Sequence, residues 1–333
     1  MNKRILAGDI GGTKTLLQVV DVAGAGKDAI NIVTEHRFDS QAYDRFDDVI
    51  SEFLQQPWTN NGRHGIQAAC IGVAGPVKGR LAKVTNLPWE LNSDALAQQH
   101  GIAKIRLIND FQAVGYGIEM LDQNDILRLQ EGDPPEHATR AVIGAGTGLG
   151  HGILIWQQDR YEVYSSEGGH ASFAPTDDLQ IELLQYLRTQ HQNVSYELVC
   201  SGPGLENIYR FLQHKNQAEN ASEITAAEIT AAEITRMALD EKVSVAQQAL
   251  QMFVKIYGAQ TGNLALTCLA TGGVYVAGGI APKILPALTQ GDFINAFNDK
   301  SKMSDLLKAI PVSIVTNPHV GLLGTVGVAA YHL

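Results

Sequence analysis

Two stretches of the chain carry the same short pattern: an apolar strand, a glycine and threonine turn, and a second apolar strand. In the first, Ile5 to Ala7 runs into Asp9-Ile10-Gly11-Gly12-Thr13, and Leu16, Leu17, Val19 and Val20 follow. In the second, Ala141 to Ile143 runs into Gly144-Ala145-Gly146-Thr147-Gly148-Leu149-Gly150, and Ile153, Leu154 and Ile155 follow. A strand that returns directly after its turn is a β-hairpin, unlike the strand-turn-helix of a P-loop or dinucleotide-binding unit. The repetition predicts two related domains. The 333 residues can supply both, since single cores seldom grow past ~250 to 300 residues.

Each half continues with a buried strand that ends in glycine: Ala68 to Val73 before Ala74-Gly75-Pro76, and Val274 to Ala277 before Gly278-Gly279. Between them, Tyr43, Phe46, Val49, Ile50, Phe53 and Leu54 recur at helical spacing. Further helices are predicted over 94–100, 111–121, 178–191, 205–213, 245–266 and 319–331. Strands interleaved with crossover helices make a duplicated α/β architecture.

Charged residues are 18% of the chain and hydrophobic ones 45%, which suits a compact enzyme and excludes a disordered or collagen-like chain. A net charge of −10 without a dense Lys/Arg cluster leaves no footprint for nucleic acid. Cys70, Cys200 and Cys268 lie far apart, without the spacing of a metal site or redox pair, and are read as buried thiols. No apolar run reaches the ~18 residues of a membrane span, and Met1 to Arg4 leaves no room for a secretory leader, so the expected location is the cytoplasm.

One low-complexity stretch stands apart: Glu223-Ile-Thr-Ala-Ala is repeated from Glu228 and begun again at Glu233. A five-residue period drifts around a helix and holds no single face. Thr225 with Glu228, and Thr230 with Glu233, each have capping-box spacing, offering two helix starts five residues apart. The stretch is read as a surface insertion without catalytic duty.

Several residues could carry chemistry. Asp9, Gly11, Gly12 and Thr13 join a carboxylate to glycines whose backbone can approach an anion, and Gly146, Thr147 and Gly148 repeat that chemistry. One such turn alone is more often only a tight turn; the pair in matching contexts is a much stronger signal. Asn109-Asp110 follows the strand Ile105 to Ile108 and precedes a helix, where α/β sheets present reactive groups. The Asp110 carboxylate is either reactive or a helix N-cap, and the motif alone favours the cap. Glu167-Gly168-Gly169-His170 could order a hydroxyl-rich ligand or form an ordinary polar loop. Glu197, before Ser201-Gly202-Pro203-Gly204, is by default a solvated acid, and Asn86 a turn former.

Taken in order, these pieces resemble the bacterial glucokinase family, in the group that lacks the zinc motif of the broader repressor and kinase sugar family. The matching segments are DIGGTK at 9–14, GVAGPV at 72–77, VTNLPW at 84–89, INDF at 108–111, GAGTGLG at 144–150, EGGH at 167–170, SGPGL at 201–205, NLAL at 263–266, VAGGI at 276–280 and GLLG at 321–324. The resemblance covers Ile5 to Tyr331, with a longer stretch at about 214–232 as the main departure. It implies two actin-like α/β domains with an active site in the cleft between them, usually in a homodimer. It also leads us to expect the last strand, Val312 to Val315, to return to the first domain, giving a small domain of 1–119 with 312–333 and a large one of 120–311.

By the same resemblance, Asn86, Asn109, Asp110, Glu167, His170 and Glu197 hold the sugar, with Asp110 as general base. Asp9, Gly11, Gly12, Thr13, Gly146, Thr147 and Gly148 hold the ATP phosphates, and Gly278 and Gly279 back the adenosine. Mg²⁺ comes with ATP and has no direct protein ligand, Asp9 ordering it through water. The implied reaction is phosphorylation of D-glucose at the 6-hydroxyl. The alternatives are a kinase for mannose or N-acetylmannosamine, a sugar-sensing regulator that has lost turnover, or a chaperone-type or cytoskeletal ATPase. Only eight residues precede Asp9, which disfavours a DNA-binding regulator, and Glu167, His170 and Glu197 disfavour the last class. Zinc-dependent relatives place cysteines beside the corresponding histidine, and this chain has none there. Metal analysis of the purified protein is therefore expected to find no tightly held zinc; one zinc per chain would show that His170 is a ligand.

Overall fold

The computed structural model describes residues 3–24, 29–56, 65–220 and 229–333. Its strands are β1 (Lys3–Ile10), β2 (Lys14–Val22), β3 (Ile30–Asp39), β4 (Ala68–Val73), β5 (Val77–Lys78), β6 (Leu81–Lys83), β7 (Glu90–Asn92), β8 (Lys104–Asn109), β9 (Ile126–Gln130), β10 (Arg140–Ala145), β11 (Leu149–Gln157), β12 (Arg160–Ser166), β13 (Val274–Ala277) and β14 (Val312–Val315). The chain divides into two compact units. The first comprises Met1–Asn124, Asp159–Ser165 and Asn317–Leu333; the second comprises Asp125–Gln158 and Ser166–Thr316.

The first unit is built on a sheet of order β3-β2-β1-β4-β8. β1 pairs antiparallel with β2 across the first glycine turn and parallel with β4, which pairs parallel with β8. All six residues of β4 are buried, as a strand covered on both faces requires. On one face, the helix Phe46–Leu54 inserts Phe46, Val49, Ile50 and Phe53, four of the six periodic apolar positions. Tyr43 stays in extended backbone before the helix, and its carbonyl accepts the indole N–H of buried Trp89 at 3.0 Å. That bond satisfies the one polar atom that burying Trp89 would otherwise orphan.

On the other face, the helices Asp110–Gly117 and Val320–Gly327 cross in close contact. A β-carbon at Gly324 would lie 1.8 Å from the Ala113 carbonyl oxygen, and one at Gly117 would lie 1.9 Å from that of Val320. Two glycines therefore set the approach of the helix whose first residue is Asp110. Past Gly327 the chain continues as a π-helical turn, Val328–His332. Lys3 pins that turn by donating to the carbonyls of Ala329 and Ala330 at 2.8 and 3.2 Å.

The second sheet has the order β12-β11-β10-β13-β14-β9. β10 pairs antiparallel with β11 across the second glycine turn and parallel with β13, which pairs parallel with β14. The series β11-β10-β13-β14 thus repeats β2-β1-β4-β8, so the expected duplication holds. It also corrects the expectation for Val312 to Val315. That strand is the counterpart of β8 and stays in the second sheet, with Val274 opposite Val312 and all four residues buried. Only the helix after it joins the first unit. The long helix Ser244–Cys268 forms much of the second core through Phe253, Ile256, Tyr257 and Leu264.

Cys70 and Cys200 are buried, as expected, whereas Cys268 is half-buried; all three are free thiols. Among the described residues, no helix is long and apolar enough to cross a membrane. The first of the two candidate capping boxes, Thr225 with Glu228, lies outside the described residues. The second forms: Thr230 Oγ1 accepts from the Glu233 amide at 3.3 Å, and Glu233 Oε2 accepts from the Thr230 amide at 2.9 Å, starting the helix Ala231–Leu239. Since this start uses no residue of the preceding repeat, deleting Ile224 to Glu228 is expected to leave turnover within about twofold and the melting temperature within about 2 °C. Thr230→Ala should instead cost about 1 kcal/mol, seen as a lower melting temperature by calorimetry. A large loss on the deletion would reveal a structural or allosteric duty for the repeat.

Candidate active site

The predicted residues fall into one group in each unit. In the first, Asp9 ends β1, and Gly11, Gly12 and Thr13 make the turn, closed by the Gly11 amide donating to the Lys14 carbonyl at 2.9 Å. Buried Ser40 supports that turn, donating through Oγ to the Gly11 carbonyl at 3.0 Å and through its amide to the Thr13 carbonyl at 3.0 Å. Asn86 sits in left-handed backbone with φ 65°, beside the turn, with its β-carbon 3.9 Å from where a Gly12 β-carbon would project. Its turn-forming conformation and its place beside the phosphate-type loop therefore coexist.

Asn109 and Asp110 divide the work that the sequence left to one carboxylate. The helix cap is Asn109, whose Oδ1 accepts the amides of Phe111 and Gln112 at 3.0 and 3.2 Å while Nδ2 donates to the Gly75 carbonyl at 3.3 Å. Asp110 is the first helical residue, and its Oδ1 accepts the Phe111 amide at 2.8 Å. A negative charge is favoured there by the helix dipole. Half-buried Asp9 is pushed up to about 6 by burial and then by the nearby charge of Asp110, with His319 pulling the other way. His319 precedes the helix Val320–Gly327 and was not anticipated from the sequence.

In the second unit, the turn Gly146-Thr147-Gly148 is closed by the Gly146 amide donating to the Gly148 carbonyl at 2.8 Å. The Gly146 carbonyl accepts the amide of Gly202, which opens the helix Gly202–Asn220, at 2.8 Å. Gly278 lies against the same turn with φ 85°, and a β-carbon on it would come within 2.6 Å of the Ala145 carbonyl oxygen, so only glycine fits. Gly146 and Gly279 face open space, which suits backbone approach by a phosphate or nucleoside. Tyr257 was also missed. Its Oη accepts the Ala145 amide at 3.2 Å and donates to the Ala277 carbonyl at 3.4 Å, tying both glycine segments to the core helix. An apolar-looking helix face hides such a role.

Glu167, His170 and Glu197 do cluster. His170 Nε2 lies 3.9 Å from Glu167 Oε2, and its Nδ1 lies 3.9 Å from Glu197 Oε1. Glu197 is aimed by its other oxygen, which accepts the Leu149 amide at 2.8 Å. Beneath the loop lies His151, another unanticipated residue, buried and held neutral because burial lowers it to about 4. A β-carbon at Gly168 would meet His151 Nδ1 at 2.2 Å, which explains the first glycine of the Glu-Gly-Gly-His sequence. Inward alternation with Leu149 along β11 was the available signal for it. Among the described residues no His/Cys/Asp/Glu group has metal-site geometry. A separate cavity of ≈ 340 Å³, lined by Arg106, Gln112, Tyr116 and Glu162 among others, contains none of the predicted site residues.

Residues 6–332 match the sequence model of the family described as Glucokinase. The chain belongs to the glucokinase family. It is 44% identical over 98% of both chains to a glucokinase of Nostoc sp.. The crystal structure of a glucokinase from an Antarctic psychrotroph superposes with a TM-score of 0.85, at 33% identity and 98% coverage of each chain. A glucokinase of the ROK family from Streptomyces griseus, solved with glucose and AMPPNP, shares the fold with a TM-score of 0.62 at 21% identity, covering 98% of this chain and 99% of that one. The actin-like α/β class read from the glucokinase motifs therefore stands.

The raised Asp9 gives a stability signature. A carboxyl group at about 6 in the folded state, against 3.8 ordinarily, is held protonated more readily by the folded than by the unfolded chain. Its contribution is complete below about pH 4 and is lost as pH rises through about 6. Asp9→Asn, which stays neutral, should therefore raise the melting temperature by several degrees at pH 7.5, reflecting about 2 to 3 kcal/mol at most, with the gain vanishing near pH 4. Equal melting shifts at both pH values would contradict this assignment.

Proposed function

We propose that this protein transfers the γ-phosphoryl group of ATP to the 6-hydroxyl of D-glucose, with Asp110 as the general base. The observation that carries the reading is the division of labour at the start of the helix Asp110–Gly117. Because Asn109 is the helix N-cap, Asp110 stands one residue inside the helix, where its Oδ1 accepts the Phe111 amide. A primary hydroxyl is a weak nucleophile at neutral pH, and a positioned carboxylate that accepts its proton during attack is worth ~10² to 10⁴ in rate.

The two glycine turns bind the phosphates through backbone amides, and Gly278 and Gly279 lie against the adenosine. Asp9, a half-buried carboxylate beside the first glycine turn, would order Mg²⁺ through water. When bound, Mg²⁺ neutralises phosphate charge that would otherwise oppose attack. Asn86, Asn109, Glu167, His170 and Glu197 bind the sugar. The carboxylates of Glu167 and Glu197 accept from sugar hydroxyls, and His170 between them can donate or accept. Discrimination follows from those acceptors, since a site built to pair a hydroxyl loses heavily when that partner is missing. The relatives' name, glucokinase, and the complex of the Streptomyces griseus protein with glucose and AMPPNP support the choice of sugar and donor. The fuller reading is a cytoplasmic, homodimeric enzyme that feeds sugar breakdown.

Asp110→Asn tests the base. Asparagine keeps the shape and can still accept the Phe111 amide, while the cap at Asn109 is untouched. Glucose binding, followed by calorimetry, should stay within roughly tenfold, about 1.4 kcal/mol, while turnover measured by ADP release falls by ~10² or more. A variant that keeps more than about half of the wild-type turnover would remove Asp110 from the base role.

A further inference from the structure

Behind Glu197 runs a chain of polar side chains that the reaction as described does not use. Glu197 lies in the single 3₁₀ turn Tyr196–Leu198, and Tyr196 is buried. The Tyr196 amide donates to the Ala171 carbonyl at 2.9 Å, directly after His170, and Ser172 and Ser195 form an isolated β-bridge. Its ring meets Phe173 edge-on, with centroids 5.6 Å apart. Tyr196 Oη accepts from Asn263 Nδ2 at 3.0 Å and is hydrogen-bonded to the backbone of Ala174. Asn263, on the helix Ser244–Cys268, presents Oδ1 to Lys300 Nζ at 2.8 Å, and Lys300 also donates to the Ala259 carbonyl at 2.9 Å.

The direction of every bond in this chain follows from its last member. An ammonium can only donate, so the oxygen of Asn263 must face Lys300 and its NH₂ must face Tyr196. The Asn263 amide cannot flip without setting donor against donor at Lys300. Tyr196 Oη is thereby made an acceptor at a fixed place, and the turn carrying Glu197 is clamped to 171–174, the continuation of the loop that carries Glu167 and His170. The Ala259 and Asn263 oxygens to which Lys300 Nζ donates are neutral, and the lysine is half-buried, with its charge disfavoured by desolvation and supported by Asp299. Methionine would fill the same space without that desolvation cost, so stability alone gives a weak reason for a lysine here.

We propose that Lys300 is a positioning residue for sugar binding, acting through Asn263 and Tyr196 on the Glu197 turn and the Glu167–His170 loop. The inference rests on the reading of Glu197 and His170 as sugar ligands. It is tested on the full-length enzyme with Lys300→Met, Tyr196→Phe, the double variant, and Glu197→Gln as reference, measuring KM for glucose, KM for ATP, kcat and melting temperature. Each single relay variant should raise the glucose KM about fivefold or more, with kcat and the ATP KM within about twofold. The double variant should be no more than about twofold worse than the worse single, because both changes break one chain. Lys300→Arg, which keeps a cationic donor, should recover part of the loss.

Multiplying effects in the double variant, an unchanged glucose KM in Lys300→Met, or equal rises in both KM values would overturn the proposal. Should Lys300→Met fail to fold, Tyr196→Phe, which deletes one oxygen, decides alone: an unchanged glucose KM sinks it. An unchanged glucose KM in Glu197→Gln would sink the sugar-ligand reading itself and the relay with it. A clear effect there with none in the relay variants would reject only the relay.

Discussion

The structure depends on a constraint of backbone proximity. In each unit a hairpin strand pairs parallel with the strand that follows it in the sheet, β1 with β4 and β10 with β13, and this brings the hairpin turn beside the loop at the end of the parallel partner. Two stretches of backbone must then pass within contact distance, and side chains are excluded where they do. In the second unit the limit is explicit, because Gly278 adopts a φ of 85° against the Ala145 carbonyl. Beside that crossing, Gly146 and Gly279 have no atom within 4 Å of where a β-carbon would stand. The close crossing and the open approach beside it thus fall to neighbouring glycines, Gly278 for the first and Gly146 and Gly279 for the second.

Electrostatics is arranged around these turns in opposite ways. The first unit places Asp9 where burial raises it and the nearby charge of Asp110 raises it further. Such an arrangement weakens the folded protein at neutral pH and is the sort of cost that reactive sites carry. In the second unit the Glu167 and Glu197 carboxylates flank an imidazole at 3.9 Å on either side, and a backbone amide holds Glu197. One unit thus carries a carboxyl group strained by burial, the other a largely exposed polar cluster in which one backbone amide holds Glu197.

Much of the fold could be read directly because its signals are local. β4, β13 and β14 have the limits their apolar runs imply, and the helix Phe46–Leu54 buries the face its periodicity marks. Helix ends were less legible. The helix over 111–121 stops at Gly117 and tightens into a 3₁₀ turn, Ile118–Met120, and the one over 205–213 extends from Gly202 to Asn220. The partner strand of Val312–Val315 was misjudged, since an apolar run of four residues carries no label for the sheet it joins. Comparison with β8 in the first half held the answer, because a duplicated sheet needs its fourth strand.

What the sequence determined by itself is the duplication, the two glycine turns, and the residue types at 9, 86, 109, 110, 167, 170 and 197, all of which lie in short contiguous motifs. Each group of these residues is encoded within a few bonds of its own strand, so local patterning suffices to find it. What only the tertiary structure decided is which side chain does which task. Asn109 takes the cap from Asp110 because its amide also reaches Gly75, thirty-four residues away. Gly168 must be glycine because His151 lies beneath it, and the hydrogen bonds of Tyr257 and Lys300 reach partners 20 to 112 and 37 to 41 residues distant. Those assignments come from distances across the fold, and a linear pattern holds no record of them.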